Sequence, residues 1–270
     1  MTETANLSAG RTAYEWFGPQ GGPVAVCIHG LTTPSYIFAG TARSMASLGY
    51  RTLTYDLWGR GGSDRPSGRQ TPEYFLDQLQ DLLGHEGING PVTLIGYSMG
   101  AVLAARYAVE APFQPRALVL LAPAGFEPQP RSRAATLMKA PVIGDLWSWI
   151  AGRAALRRAA EAARGQATLV PDLVDRQIRE CDRPGYPASV LSSLRHTLTK
   201  PADDDHRALA RMGVPLLAIW GDDDPVIGKT AIGRLAQLNP AAHHVQIAGA
   251  GHALPQTHPR EVAEAIRAFV

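Results

Sequence analysis

Ser98 stands in Gly96-Tyr97-Ser98-Met99-Gly100, directly after the apolar run Val92-Thr93-Leu94-Ile95 and directly before a helix-patterned stretch from Ala101 to Glu110. A serine held in a tight turn between strand and helix exposes its hydroxyl, and small flanking residues let the two elements pass closely enough to form the turn. Such a hydroxyl can act as a nucleophile once an adjacent base, itself oriented by a third group, accepts its proton. Both kinds of partner lie downstream, each at the end of a strand-like run. Leu216-Leu217-Ala218-Ile219-Trp220 leads into Gly221-Asp222-Asp223-Asp224-Pro225, and Val245-Gln246-Ile247 leads into Ala248-Gly249-Ala250-Gly251-His252.

His252 is the expected general base, because a glycine-rich loop after a strand can hold the ring close to backbone. Other histidines have plainer readings. His258 precedes Pro259 at a predicted helix start, His243 and His244 open a strand that can turn at most one of them inward, and His85 falls in a glycine-rich turn. By residue type alone, Asp222, Asp223 and Asp224 serve equally well as the orienting acid.

The chain order Ser, Asp, His is joined by His29-Gly30 after one strand-like run and Asp56-Leu57-Trp58-Gly59-Arg60-Gly61-Gly62-Ser63-Asp64 after the next. Together these segments resemble the α/β-hydrolase superfamily, in its serine esterase and lipase-like branch with a helical cap. The likeness spans nearly the whole chain and is loose only between residues 124 and 210. In similar enzymes the acid-bearing loop reads Gly, two variable residues, then Asp before an apolar or proline pair. That pattern selects Asp224, before Pro225-Val226, and leaves Asp222 and Asp223 as solvated loop carboxylates.

Acyl transfer builds negative charge on a carbonyl oxygen, which preorganised backbone donors stabilise by about 3 kcal/mol each. The Met99 N–H, at a helix start, is one expected donor. The resemblance implies that the Leu31 N–H is the other, with Gly30 permitting the turn and His29 hydrogen-bonded to a neighbouring loop to hold it. The glycines of residues 56–64 could suggest phosphate binding. However, the stretch lacks the Lys-Ser/Thr pair of a phosphate loop and no helix pattern follows at once; the resemblance implies an architectural loop.

These residues need a frame to carry them. Strand patterns recur near 24–28, 50–55, 92–96, 117–121, 215–220 and 243–247, several of them continuously apolar, as in strands covered on both faces. Helix patterns alternate with them at Ile37 to Leu48, Pro72 to Leu83, Met99 to Glu110, Lys229 to Leu238 and Pro259 to Phe269. The alternation predicts a doubly wound, mostly parallel α/β sheet. A pair of strands around Leu7 and Arg11 to Phe17, turning at Ala9-Gly10, would add an antiparallel edge. The predicted core is 1–123 with 211–270, interrupted by a helical insertion at 124–210. Helix patterns there cover Ala134 to Lys139, Leu146 to Arg164, Leu169 to Cys181 and Ser189 to Thr199. By resemblance the insertion is a cap over the serine. Met138, Leu146, Trp147, Trp149 and Ile150 are apolar enough to line a substrate pocket under it, or equally to form the cap's own small core.

Composition bounds the rest. A chain of 270 residues, 45% hydrophobic and 19% charged, suits one large domain, and a net charge of +2 gives no reason to expect nucleic acid as a partner. The locally basic stretch from Arg131 to Arg164 reads first as a solvated helix face. Cys27 in a predicted central strand and Cys181 in the insertion are not expected to pair, and no ligand spacing suggests a metal. The N-terminus is polar and no apolar run reaches membrane-spanning length, so a soluble cytoplasmic protein without stable membrane insertion is expected.

The expected activity is cofactor-free cleavage of small-molecule carboxylic esters through an acyl-enzyme on Ser98, with Asp224 and His252 completing the triad. The resemblance leaves open C–C hydrolysis of diketone-type ring-cleavage products, cofactor-free perhydrolysis and, without chemistry, a small-molecule receptor. Epoxide hydrolase and dehalogenase chemistry is disfavoured, since similar enzymes of those kinds carry aspartate where Ser98 stands.

Overall fold

The computed structural model describes residues 2–126, 140–165, 168 and 170–270. Its strands are β1 (Glu3–Asn6), β2 (Arg11–Phe17), β3 (Val24–Ile28), β4 (Arg51–Tyr55), β5 (Thr93–Tyr97), β6 (Ala117–Leu121), β7 (Leu216–Gly221) and β8 (His243–Ile247). They form an eight-stranded sheet in the order β1-β2-β4-β3-β5-β6-β7-β8. The β1–β2 and β2–β4 pairs are antiparallel and every other pair is parallel. The predicted doubly wound sheet is therefore the observed one, antiparallel edge included.

Strand β6, Ala-Leu-Val-Leu-Leu, is buried at every position. Alternate side chains of a strand point to opposite faces. Leu118 and Leu120 accordingly join the core layer containing α2 (Pro72–His85) and α3 (Met99–Glu110), whereas Val119 and Leu121 join the layer containing α1 (Ala39–Ser47) and the C-terminal Pro259–Phe269 helix. The helix starts are locally encoded. Thr71 caps α2 by accepting from the Tyr74 N–H, with Pro72 in the first turn, where its missing N–H costs nothing.

Between β6 and β7 lie α4 (Ile143–Trp147), a π-helical turn at Ser148–Gly152, α5 (Arg153–Glu161), α6 (Leu173–Cys181), α7 (Tyr186–His196) and α8 (Asp203–Met212). The predicted helix at 134–139 falls outside the described residues. Helix α8 packs on α3, and its Leu209 is fully buried in the core layer there. Helices α9 (Thr230–Leu238), α10 (Leu254–Thr257) and α11 (Pro259–Phe269) complete the chain. Cys27 and Cys181 are both buried and unpaired with each other. Among the described residues no helix is long and apolar enough to cross a membrane.

Candidate active site

The Ser98 turn is enforced by close approach. A Cβ on Gly100 would lie 2.0 Å from the Ile28 carbonyl oxygen, and one on Gly96 would lie 2.4 Å from the Gly100 oxygen. Helix α3 can therefore sit this close to β5 and to the end of β3 only with glycine on either side of the serine. Ser98 itself sits at φ +52°, ψ −114°, a conformation that costs a non-glycine residue about 1–3 kcal/mol. Hydrogen bonds hold it there: its N–H donates to Leu121 O at 3.0 Å, and its carbonyl accepts from Ala101 N–H at 3.0 Å.

The loops after β7 and β8 deliver the partners. The Ser98 Oγ lies 3.1 Å from His252 Nε2, and His252 Nδ1 lies 2.9 Å from Asp224 Oδ2. The second carboxylate oxygen of Asp224 accepts from the N–H groups of Val226 and Ile227 at 2.7 and 2.9 Å. Burial by itself raises the Asp224 pKa, but the bond from His252, its charge and the two backbone donors outweigh it, so the carboxyl lies below its ordinary value. An ionised carboxylate accepting at Nδ1 requires the proton there, which leaves Nε2 free to accept the serine proton. The ring of Tyr97 packs against His252 with centroids 5.3 Å apart.

Asp222 and Asp223 do not approach the imidazole in the same way. Asp223 is exposed. Asp222 is half-buried, and its carboxylate accepts the Gly249 N–H at 2.7 Å, tying the β7 loop to the β8 loop. The solvated role expected of Asp222 is thus replaced by a structural one, for a simple reason: a parallel β7–β8 pair brings the two loops side by side.

Met99 is the first residue of α3, where the N–H has no intrahelical acceptor. Leu31 lines the cavity beside Ser98. Its loop is set by His29, which is fully buried. The Leu57 N–H donates to His29 Nε2 at 2.9 Å, so Nδ1 carries the proton and donates to Gly30 O at 2.8 Å. Burial lowers the His29 pKa to about 4, keeping the ring neutral for this bridge. The 56–64 loop is likewise internally wired. Asp56 accepts from the N–H groups of Ser35 and Gly62, one on each carboxylate oxygen. Fully buried Arg60 donates to Leu31 O, Trp58 O, Gln70 Oε1 and, on α7, Ser193 Oγ.

A cavity of about 470 Å³ opens on the serine and histidine. Leu31, Thr32, Pro123, Phe126, Leu194, Leu198, Val226, Ile227 and Ala231 make its walls. Of the pocket residues expected from sequence, none that is described lines this cavity. Leu146, Trp149 and Ile150 are 56%, 82% and 67% exposed, Trp147 is half-buried, and Met138 lies outside the described residues. Small residues explain this. Gly144, Ser148 and Gly152 form the buried face of α4 and the π turn, and a Cβ on Gly152 would lie 3.2 Å from Pro187 of α7. Leu146, Trp149 and Ile150 consequently face solvent. Leu194 and Leu198, four residues apart along and just beyond α7, take the wall instead, a spacing visible in sequence but shared by any buried helix face.

Residues 25–265 match the model of a family described as the alpha/beta hydrolase family. The chain is 29% identical over 92% of its length to a pimeloyl-[acyl-carrier protein] methyl ester esterase of Aeromonas salmonicida, covering 96% of that protein. It is 24% identical over 97% of its length to Lipase 1 of Psychrobacter immobilis, covering 81% of it. Among solved structures, a bromoperoxidase from Bacillus anthracis superposes with a TM-score of 0.80 at 21% identity, with 100% of this chain and 99% of that one covered, which is a likeness of fold.

Proposed function

Because the chain belongs to the alpha/beta hydrolase family, we propose that it hydrolyses carboxylic esters of small molecules through an acyl-enzyme on Ser98. The observation that carries this reading is one imidazole hydrogen-bonded to Ser98 Oγ on one side and Asp224 on the other, at the mouth of an apolar cavity. His252 Nε2 takes the Ser98 proton as Oγ attacks the ester carbonyl carbon. The Nδ1–H bond to Asp224 keeps the ring oriented and stabilises the imidazolium. The Leu31 and Met99 N–H groups hold the oxyanion. Collapse breaks the bond to the alkoxy oxygen, which leaves as the alcohol with the proton from Nε2. A water then attacks the acyl carbon, passes its proton to Nε2, and the acid departs as Ser98 regains a hydrogen.

The helical segment between β6 and β7 acts as a cap in this reading, since Leu194 and Leu198 close the cavity from that side. The esterase and lipase relatives support an ester as the bond cleaved. The test is fluorophosphonate labelling with mapping of the adduct, alongside turnover of p-nitrophenyl butanoate. A Ser98 adduct and turnover that both vanish in Ser98→Ala are the expected results. Turnover retained in the variant overturns the assignment.

A further inference from the structure

A second cavity, about 480 Å³ and more open, adjoins the catalytic one and is lined by Phe126, Pro201, Asp203, Thr230, Gly233, Arg234 and Gln237. Among the described residues, Phe126 alone lines both. It is 7% exposed and braced from behind, with ring centroids 4.7 Å from His206 and 6.3 Å from Trp220. From the preceding residue, Gly125 at φ +97°, the backbone is tied to α8, its carbonyl accepting the Ala202 N–H at 3.0 Å. The ring is therefore held against His206 and Trp220 while it lines both cavities.

Resting on the esterase reading above, we propose that Phe126 is the partition that sets acyl length: it ends the catalytic cavity and keeps the substrate's tail out of the second one. The wall residues Leu194, Leu198, Val226, Ile227 and Ala231 carry no charge, so the acyl group that fits is uncharged and apolar. The catalytic cavity, at about 470 Å³, lies in the lower half of the roughly 300–1,000 Å³ range of small-molecule sites, which suits a short to medium acyl chain. Replacing Phe126 by a small residue joins the two spaces. Chains too long for the native enzyme then gain a path past Thr230 toward the outer cavity, and short chains gain nothing.

The experiment compares p-nitrophenyl butanoate, octanoate and dodecanoate as kcat/KM in the full-length protein, with fluorophosphonate titration of Ser98 fixing the concentration of active sites. The native enzyme is expected to favour butanoate or octanoate over dodecanoate. In Phe126→Ala the dodecanoate-to-butanoate ratio is expected to rise by about tenfold, the low end of what one misfit methylene costs in an apolar pocket. Phe126→Leu, which keeps the core filled, is expected to fall between. Because the readout is a ratio within one variant, loss of folded protein cannot imitate it. A ratio unchanged in both variants, with Ser98 still labelled, overturns the partition and leaves the esterase reading standing. No Ser98 adduct in the native protein overturns both.

Discussion

Ser98 is held in a backbone conformation that few side chains adopt, and its glycine neighbours have contacts that allow no relaxation. Function and stability should therefore separate at this position. Ser98→Ala is expected to lower ester turnover on the order of 10⁶-fold while keeping the strained φ. Ser98→Gly should be equally inactive yet unfold about 1 kcal/mol later in urea than Ser98→Ala, because glycine adopts positive φ without the Cβ penalty. Equal stability of the two variants would show that the turn stores no strain. At Asp224 the expected loss is smaller. Asp224→Asn still accepts the Val226 and Ile227 N–H groups but cannot hold His252 as the carboxylate does, and kcat should fall by about 10⁴. Steady-state kinetics on active-site-titrated protein check this. Sequence reasoning reached Ser98 and His252 from residue type and loop context. Choosing among the three adjacent aspartates needed a family likeness, because nothing in Asp-Asp-Asp says which carboxylate the loop turns inward.

Elements meet at this site through two kinds of contact. One is backbone against backbone. Gly100→Ala would drive a methyl group into the Ile28 carbonyl at 2.0 Å, and helix α3 cannot move away without carrying Ser98 with it. The expected outcome is insoluble protein or a loss of several kcal/mol, measured by chemical denaturation. The other is a buried cation. Arg60 joins the Leu31 loop, the 56–64 loop and α7 from a fully buried position, and burial lowers its pKa to about 10. Arg60→Met leaves Gln70 and Ser193 short of a donor and is expected to cost about 3 kcal/mol. It should also reduce kcat, since the Leu31 loop loses the bond that holds the Leu31 carbonyl. A stable variant with native kcat would refute that coupling. The arginine is conspicuous in Trp-Gly-Arg-Gly-Gly, but the sequence offers no sign that it reaches Ser193, some 133 residues later.

At the scale of the whole molecule, the two most deeply buried histidines, His29 and His206, contribute to the response to acid. Burial lowers the pKa of His29 and of His206 to about 4, against 6.5 for the unperturbed group. Above about pH 6.5 both states hold the rings neutral and stability is full. As pH falls toward about 4, the unfolded chain takes up protons that the native chain refuses, and stability drains away. Each ring should cost about 2 kcal/mol between about pH 7 and about pH 5. Urea midpoints at the two pH values measure the total, and His206→Leu should lower the dependence by about 2 kcal/mol. An unchanged dependence in that variant would place the acid sensitivity elsewhere. The exposed face carrying Leu146, Trp149 and Ile150 provides a contrasting test of the cavity's location. Trp149→Ser is expected to leave ester kinetics unaltered and stability within about 0.5 kcal/mol, as for other surface changes.

The sequence by itself determined a mostly parallel sheet, the succession of strands and helices along the chain and the segments that carry Ser98, Asp224 and His252. Those features are written in local signals: continuous apolar runs for doubly covered strands, glycines where backbones touch, and loops after parallel strands that must collect at one edge. Tertiary structure decided which side chains of the helical insertion face the serine. Large apolar residues are attractive pocket candidates in isolation, yet a helix buries whichever face packs closest, and around Gly144, Ser148 and Gly152 that face is the small one. Trp149 turned outward for that reason, and the cavity wall passed to Phe126, Leu194 and Leu198. Their roles arise only when separate elements meet in space.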